Sequence, residues 1–455
     1  MNKIRIGGLL LCMQISVAMG QVGSISPYSQ YGLGDLQHHG FVSQLGMGGC
    51  GVALNDTLQI NIANPASYAS LKVTLFDAGL NASVNRLSTS NKFTNKTDAA
   101  FSYFALGFPV VRGGKLGGCF GLIPYSTRGY SVNYNTLNTQ GDKVTHYFEG
   151  SGGVNRFFVG LGSKVWRNFS VGGHASYLFG TLSKTRRTEY ADNTFLYARN
   201  TLNTSITDFM FDAGAYYKTD SLFSVRTKKH DTKNPGTDSL PNYIYKKKYI
   251  RFSLGAASTF QTNLKDKNDF ITETYYTDPL GTIYLVDTAE YIPTVKGKTT
   301  LPASYRVGFS LQNVNHWIYT AEYQLQDWSK FTSFGINDNL QSSFGVSTGF
   351  EFIPKFNSPK YGKRIAYRFG FRYNQSMLNL RSTPITDMTL SFGVGLPIRK
   401  DAVTAPYATS FSRINLSLEV GKRGTTTNNL LLEEYIRLHV GVCLSELWFI
   451  QRKFD

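Results

Sequence analysis

The chain has little of what stabilises a small exported domain or marks an enzyme. It holds four cysteines in 455 residues. Cys12 falls in an apolar N-terminal run, leaving Cys50, Cys119 and Cys443, an odd number without CxxC spacing. That pattern suggests neither a disulfide framework nor a zinc site. After the first twenty residues there is no run of 18 apolar residues, which excludes a transmembrane helix. The histidines, at 38, 39, 146, 174, 230, 316 and 439, lack metal-ligand spacing, and no serine sits in a nucleophile elbow. Residues 46–51 are glycine-rich but lack the Gly-Lys-Ser/Thr ending of a phosphate loop. No catalytic group, metal or cofactor is expected, and the chain does not read as an enzyme.

Acidic residues are also scarce, 30 against 47 lysines and arginines, for a formal charge of +17. The charge is spread along the chain rather than gathered into an arm. It suits an exported surface facing anionic lipid headgroups or polysaccharide, and no nucleic-acid partner is expected. Residues 1–20 support export: Lys3 and Arg5, an apolar run from Gly7 to Val17, and Ala18-Met19-Gly20 before Gln21 form a secretory signal peptide.

What the chain does have is period-two alternation. From Met388 onward, Met388, Leu390, Phe392, Val394, Leu396 and Ile398 fall on one face, with Thr389, Ser391, Gly393 and Gly395 on the other. Ile414, Leu416, Leu418 and Val420 repeat the pattern, as do Ile365, Tyr367, Phe369, Phe371 and Tyr373. Segments of about ten residues, with glycine, serine and arginine opposite the apolar face, are the signature of a transmembrane β-barrel. The mean hydropathy of −0.21 is no objection, because half of each strand faces a polar lumen.

The alternation predicts an all-β, 14-stranded antiparallel barrel over 72–455. Its strands fall near 72–86, 98–109, 115–131, 144–165, 168–186, 204–218, 247–261, 300–313, 316–329, 340–353, 363–376, 386–398, 411–422 and 432–453. The longest outer loop is expected at 263–299, and the side of the 221–247 insertion is left open. Trp166, Trp317, Trp328 and Trp448 fall near strand ends, where an amphipathic ring can sit at headgroup level. The last strand continues through Trp448 and Ile450 to Phe454. It resembles the signal read by the barrel-assembly machinery, an expected partner during biogenesis.

One stretch departs from the pattern. Residues 45–71 contain Gly46, Gly48, Gly49 and Gly51, then Val52-Ala53, Asn55-Asp56 and Asn64-Pro65-Ala66. They show neither strand alternation nor a helical stripe. Placed between a signal peptide and the first strand, this arrangement resembles the N-terminal hatch of the FadL/TodX family of outer-membrane hydrophobic-compound transporters. The resemblance implies a hatch within 21–71, localisation in the cell outer membrane, and passive uptake of hydrophobic or amphipathic molecules such as long-chain fatty acids, with outer-membrane lipid around the barrel. It also implies a hatch shift and lateral exit through the third strand, where Gly117, Gly118, Gly121 and Pro124 stand.

Ser26-Pro27-Tyr28 and Tyr31-Gly32-Leu33-Gly34 resemble the opening of family members from Bacteroidota. In that group FadL-like barrels include type IX secretion subunits of the PorV type. A non-transporting partner subunit of a secretion or surface-assembly system is therefore the alternative. Arg251, Arg306, Arg364, Arg368, Arg372 and Arg413 fall on polar faces. They are expected either to anchor the carboxylate of an amphipathic ligand or to pair with Asp208, Asp212, Glu322 and Glu419.

Overall fold

The computed structural model describes residues 26–446 apart from 39, 112–114, 193–194, 279, 357 and 399–411, and within 220–249 only the backbone of the strands. The expected signal peptide, Trp448, Ile450 and Phe454 lie outside the described residues.

Fourteen antiparallel strands form the wall. They are β1 (Thr74–Ser88), β2 (Phe93–Pro109), β3 (Leu116–Thr127, resuming at Tyr130–Leu137), β4 (Lys143–Trp166), β5 (Phe169–Tyr190) and β6 (Tyr197–Lys218). Next come β7 (Tyr243–Thr259, resuming at Thr262–Thr277), β8 (Ile283–Leu301, resuming at Ser304–Asn313), β9 (Trp317–Asp327) and β10 (Ser342–Phe352). The ring ends with β11 (Ala366–Leu380), β12 (Thr383–Pro397), β13 (Arg413–Gly424) and β14 (Leu432–Glu446). Closure is complete, because β1 pairs with β14 from Thr74↔Glu446 to Ser88↔Leu432. A closed ring leaves no terminal edge strand, which a bilayer would not tolerate.

The alternation sorts the side chains as the sequence pattern requires. On β12, Leu390 is 52% exposed while its neighbours Thr389 and Ser391 are 1% exposed. Leu80 and Val84 on β1, Phe157, Val159 and Leu161 on β4, and Ile436, Leu438 and Val440 on β14 likewise point outward. So much apolar surface facing outward is stable only against lipid tails.

Two expectations are revised. The stretch 263–299 is not a loop: β7 and β8 continue through it as a hairpin from Thr262↔Leu301 to Thr277↔Ile283. Its sequence hides this because, above the bilayer, both faces of a strand meet water and lose their alternation. Trp328 is not at a headgroup level either. It is 1% exposed and packs with Phe331, ring centres 5.6 Å apart, in an apolar core with Leu33, Leu340, Met377 and Leu430 that fills the outer mouth. The 221–247 insertion is a second hairpin, Phe223–His230 paired with the first residues of β7. It leaves β6 at the end where Lys218 meets Asn168, the inner end, where β1 begins and β14 finishes.

The N-terminal chain starts at the outer end, where the Tyr28 hydroxyl donates to the Leu431 carbonyl. Residues 40–71 then pass along inward-facing positions of successive strands before joining β1. A belt of wall glycines receives them. Gly117, Gly162, Gly172 and Gly214 face one another across β3 to β6, Gly255 faces Gly308, and Gly349 faces Gly370. A Cβ on Gly117 would lie 1.9 Å from the Tyr68 carbonyl oxygen, and one on Gly255 1.9 Å from that of Val52. Glycine inside a strand marks such a close backbone approach.

Candidate lateral opening and lumenal cavity

The β2–β3 ladder runs only from Phe104↔Leu122 to Pro109↔Gly117. Above it β3 is bulged between Pro124 and Ser126, β2 is bulged between Phe101 and Tyr103, and the two strands separate. Among the described residues no strand pairs with 93–103 on the β3 side, although β1 pairs fully on the other. Proline at a strand edge removes a ladder donor, so Pro124 sits where pairing fails. Gly117, Gly118 and Gly121 lie below, in the paired part of the ladder. Gly117 admits the 65–70 turn, and Gly121 admits the Phe104 carbonyl, 2.4 Å from its Cβ position.

The β3 edge of this seam is partly covered. Asp35 and Leu36 pair with Thr127 and Ser126, and Gln37 N–H donates to the Tyr125 carbonyl at 3.0 Å. Gly34 enters this short strand with φ +98°, its Cβ position 2.4 Å from the Thr127 oxygen, so only glycine fits. Behind the seam lies a cavity of about 270 Å³, floored by Phe41, Leu45 and Ile62 and reaching the wall at Phe101, Ile123 and Pro124. The lining includes Phe101, whose side chain is exposed on the outside of the wall. Asp387, Arg423, Glu433, Arg437 and His439 line it from β12 to β14, beyond β1. The lining is thus mixed: Phe101, Ile123 and Pro124 stand with Asp98, Ser102 and Thr127 at the seam, and the cationic groups gather on β13 and β14.

The segment 40–71 is fastened by side chains as well as by the glycine belt. Glu322 on β9 accepts from the N–H groups of Gly51 and Val52 at 2.8 and 2.9 Å. Ser391 accepts from Gly48 N–H at 2.9 Å. Asn64 accepts from Ala66 N–H and donates to the carbonyls of Val52 and Ala215. Pro65 and Ala66 open the two turns of 3₁₀ helix, Pro65–Ser70, that Asn64 caps. Gly48 and Gly49 have φ of +70° and +80°, Gly46 lies against Gly393, and Gly51 against Ala63. Tyr103 donates to Asp77 at 2.9 Å, accepts from Val42 N–H at 3.2 Å and stacks on Phe41. Tyr68 and His174 share a 2.7 Å hydrogen bond.

The arginines divide. Arg368 binds Glu351 at 2.7 Å and Asn415 at 2.9 Å. Arg372 binds Glu419 and Thr389, both at 3.2 Å. These are wall-to-wall bonds, the pairing a dry interior demands. Arg306 is 8% exposed and, with Glu322 and Arg372, lines a smaller cavity of about 130 Å³. Arg413 is buried near Asp56. Arg251 is exposed at the inner end of β7, and Arg364 lies outside the strands, against the Tyr361 ring. A further buried pair, Arg156 with Asp212 beside His174 and Ser176, includes an arginine that the strand pattern does not single out. Arg156, His174 and Asp212 stand on three different strands, and only their register brings them together.

Known structures share this architecture. The toluene transporter TbuX of Ralstonia pickettii is 15% identical, covers 90% of this chain and 99% of its own, and superposes with a TM-score of 0.53. The toluene transporter TodX of Pseudomonas putida gives 15%, 91% and 99%, and 0.54. A FadL homologue of Pseudomonas aeruginosa gives 10%, 90% and 98%, and 0.54. At such identities the likeness is one of fold. No curated protein matches the sequence. A family model described as BamG matches residues 1–238 and again 232–455, so with its closed FadL-type barrel this chain belongs to the BamG family.

Proposed function

We propose that the protein is an outer-membrane barrel that passes small hydrophobic or amphipathic molecules, long-chain fatty acids among them, between its lumenal cavity and the bilayer through the β2–β3 seam. The observation that carries this reading is the end of the β2–β3 ladder beside a cavity whose lining reaches Phe101 and Pro124. An apolar tail would lie toward the seam and a polar head toward Arg423, Arg437 and His439. Arg306, beside the smaller cavity, is the best placed of the six arginines for a second contact with a carboxylate. Residues 40–71 act as a hatch closing the inner side. Their backbone seating in the glycine belt favours a stationary hatch, with traffic sideways rather than through a hatch shift. The printed names of TbuX and TodX, toluene transporters, agree with the class of cargo.

The test is a Phe101→Cys/Pro124→Cys variant joined by a short bismaleimide. Cross-linking is expected to reduce entry of a fluorescent fatty acid into protein-bearing liposomes at least tenfold, with reagent-treated wild type as control. Unchanged entry after complete cross-linking rejects the lateral route.

A second reading has its own observation. The 262–301 hairpin exposes Leu280, Leu285, Val286, Tyr291 and Ile292, and along 283–301 the edge away from β7 is met, among the described residues, at Lys298 by the Phe334 N–H and at Thr299 and Thr300 by Thr332–Ser333. Such an edge suits a protein partner. The name BamG points to the barrel-assembly machinery as that partner rather than to type IX secretion. Deleting 270–292 should then deplete co-purified assembly components while leaving fatty-acid entry intact. Unaltered co-purification removes this reading.

A further inference from the structure

On one side of the barrel the wall continues well above the bilayer. The upper parts of β3 to β8, from Tyr130–Leu137 round to the 262–301 hairpin, form a sheet standing beside the outer mouth. Its two faces treat charge differently. On the outer face Arg187 binds Glu149 at 2.8 Å and Glu189 at 3.0 Å, and Arg199 binds Glu273 at 2.7 Å. On the face toward the mouth, Lys184 and Arg186 have no carboxylate within 4.0 Å among the described residues. Alternation explains the segregation, since neighbouring residues of one strand point to opposite faces.

These cations share a cavity of about 250 Å³ between the sheet and the N-terminal chain, walled by the aromatic rings of Tyr31, Tyr130 and Phe148. The Arg186 guanidinium lies 5.8 Å from the Phe148 ring centre. Asp338 is the acid at the rim, and one of its oxygens accepts from Gly32 N–H at 3.3 Å. Behind the cavity Arg128 is 4% exposed and donates to the Gly32 carbonyl at 2.7 Å, which adds a third positive charge without another acid. Burial, then Arg128 and Arg186, hold the Lys184 amine below the ordinary lysine range, against the opposing pull of Asp338. An anion entering here would relieve that repulsion, and charge-assisted bonds to it would be strong.

We infer that this vestibule binds a phosphorylated sugar, its phosphate on Lys184 and Arg186 and its ring against Tyr31, Tyr130 and Phe148. A ring-bearing anion fits better than a bare ion because the walls between the cations are aromatic. The sugar has two sources of the same chemistry, the headgroup of an outer-leaflet glycolipid or a free phosphosaccharide. The inference is independent of the seam and of either reading above.

The test uses the full-length protein in phospholipid nanodiscs. Glucose 1-phosphate and glucose are titrated by calorimetry, and in a parallel arm the nanodiscs carry diphosphorylated lipid A, whose retention is read by native mass spectrometry. Lys184→Gln/Arg186→Gln is expected to weaken binding of the phosphorylated probe at least tenfold, and Phe148→Ala severalfold. Arg187→Gln/Arg199→Gln, which removes the same charge from the opposite face, should change it less than twofold. Heat-modifiable gel migration establishes that each variant is a folded barrel. Lipid A binding alone assigns the site to glycolipid, and glucose 1-phosphate binding alone assigns it to free saccharide. The inference is overturned if neither binds, if glucose binds as well as its phosphate, or if the two double variants lose affinity equally.

Discussion

From β3 to β6 the wall meets the 65–70 turn through four facing glycines, while one strand away, between β2 and β3, it loses its ladder. Both regions are rich in residues that weaken strands, yet one is a close backbone contact and the other is a gap. The difference lies in what replaces the missing side chain. At Gly117, Gly162 and Gly172 another backbone takes the space at 1.9 to 2.5 Å from where a Cβ would be, and at Gly214 the Asn64 side chain does so at 2.2 Å. At the seam a proline and two bulges remove pairing, and only Asp35 and Leu36 partly substitute.

The harshest test of the belt is Gly255→Val. Its side chain would run into the Val52 carbonyl, with no flexible neighbour to yield, at a cost of about 3 kcal/mol or more. We expect loss of the heat-modifiable folded form, or cleavage of 40–71 by added protease in any barrel that remains. Arg156→Met tests the ionic side of the belt, since it leaves the buried Asp212 with only Thr259 and His174 as partners. A loss of about 3–5 kcal/mol in urea unfolding is expected, most of it recovered in Arg156→Met/Asp212→Leu. Asn64→Ala removes two donors and one acceptor at the cap and should cost about 1–3 kcal/mol by the same measurement. Gly34→Val acts on the seam alone. It should detach residues 35–36, seen as faster amide exchange at Gln37, while exchange in the β4–β5 ladder is unchanged. Equal acceleration in both places would mean that the seam is no weaker than the wall.

The barrel was legible because a bilayer imposes period two on every strand it touches. β12, β13 and the lower parts of β11 and β14 carry that imprint plainly, and closure at fourteen strands followed from counting. The imprint stops at the bilayer surface, so the 262–301 hairpin, solvated on both faces, read as a loop. Trp328 misled for a related reason: a tryptophan near a strand end suits a headgroup layer or a packed mouth equally well, and only the third dimension decides. At the site, Pro124 stood out as a broken donor, and Glu322 and Glu419 as inward acids. The partners of Arg156 and the facing of Gly117 with Gly162 depend on cross-strand register, which one sequence does not encode at any fixed spacing.

The path of the N-terminal chain bears on how the molecule is made. Tyr28 is held at the outer end and β1 begins at the inner end, so the intervening residues traverse the interior of a closed ring. Drawing a chain through a finished ring and then seating its backbone against glycines on seven strands would be slow. Wrapping the strands round a segment already in place needs no threading. On that route the N-terminal segment would serve as a mandrel for the sheet, and the fifteen-pair joint between β1 and β14 would be the clasp fastened last.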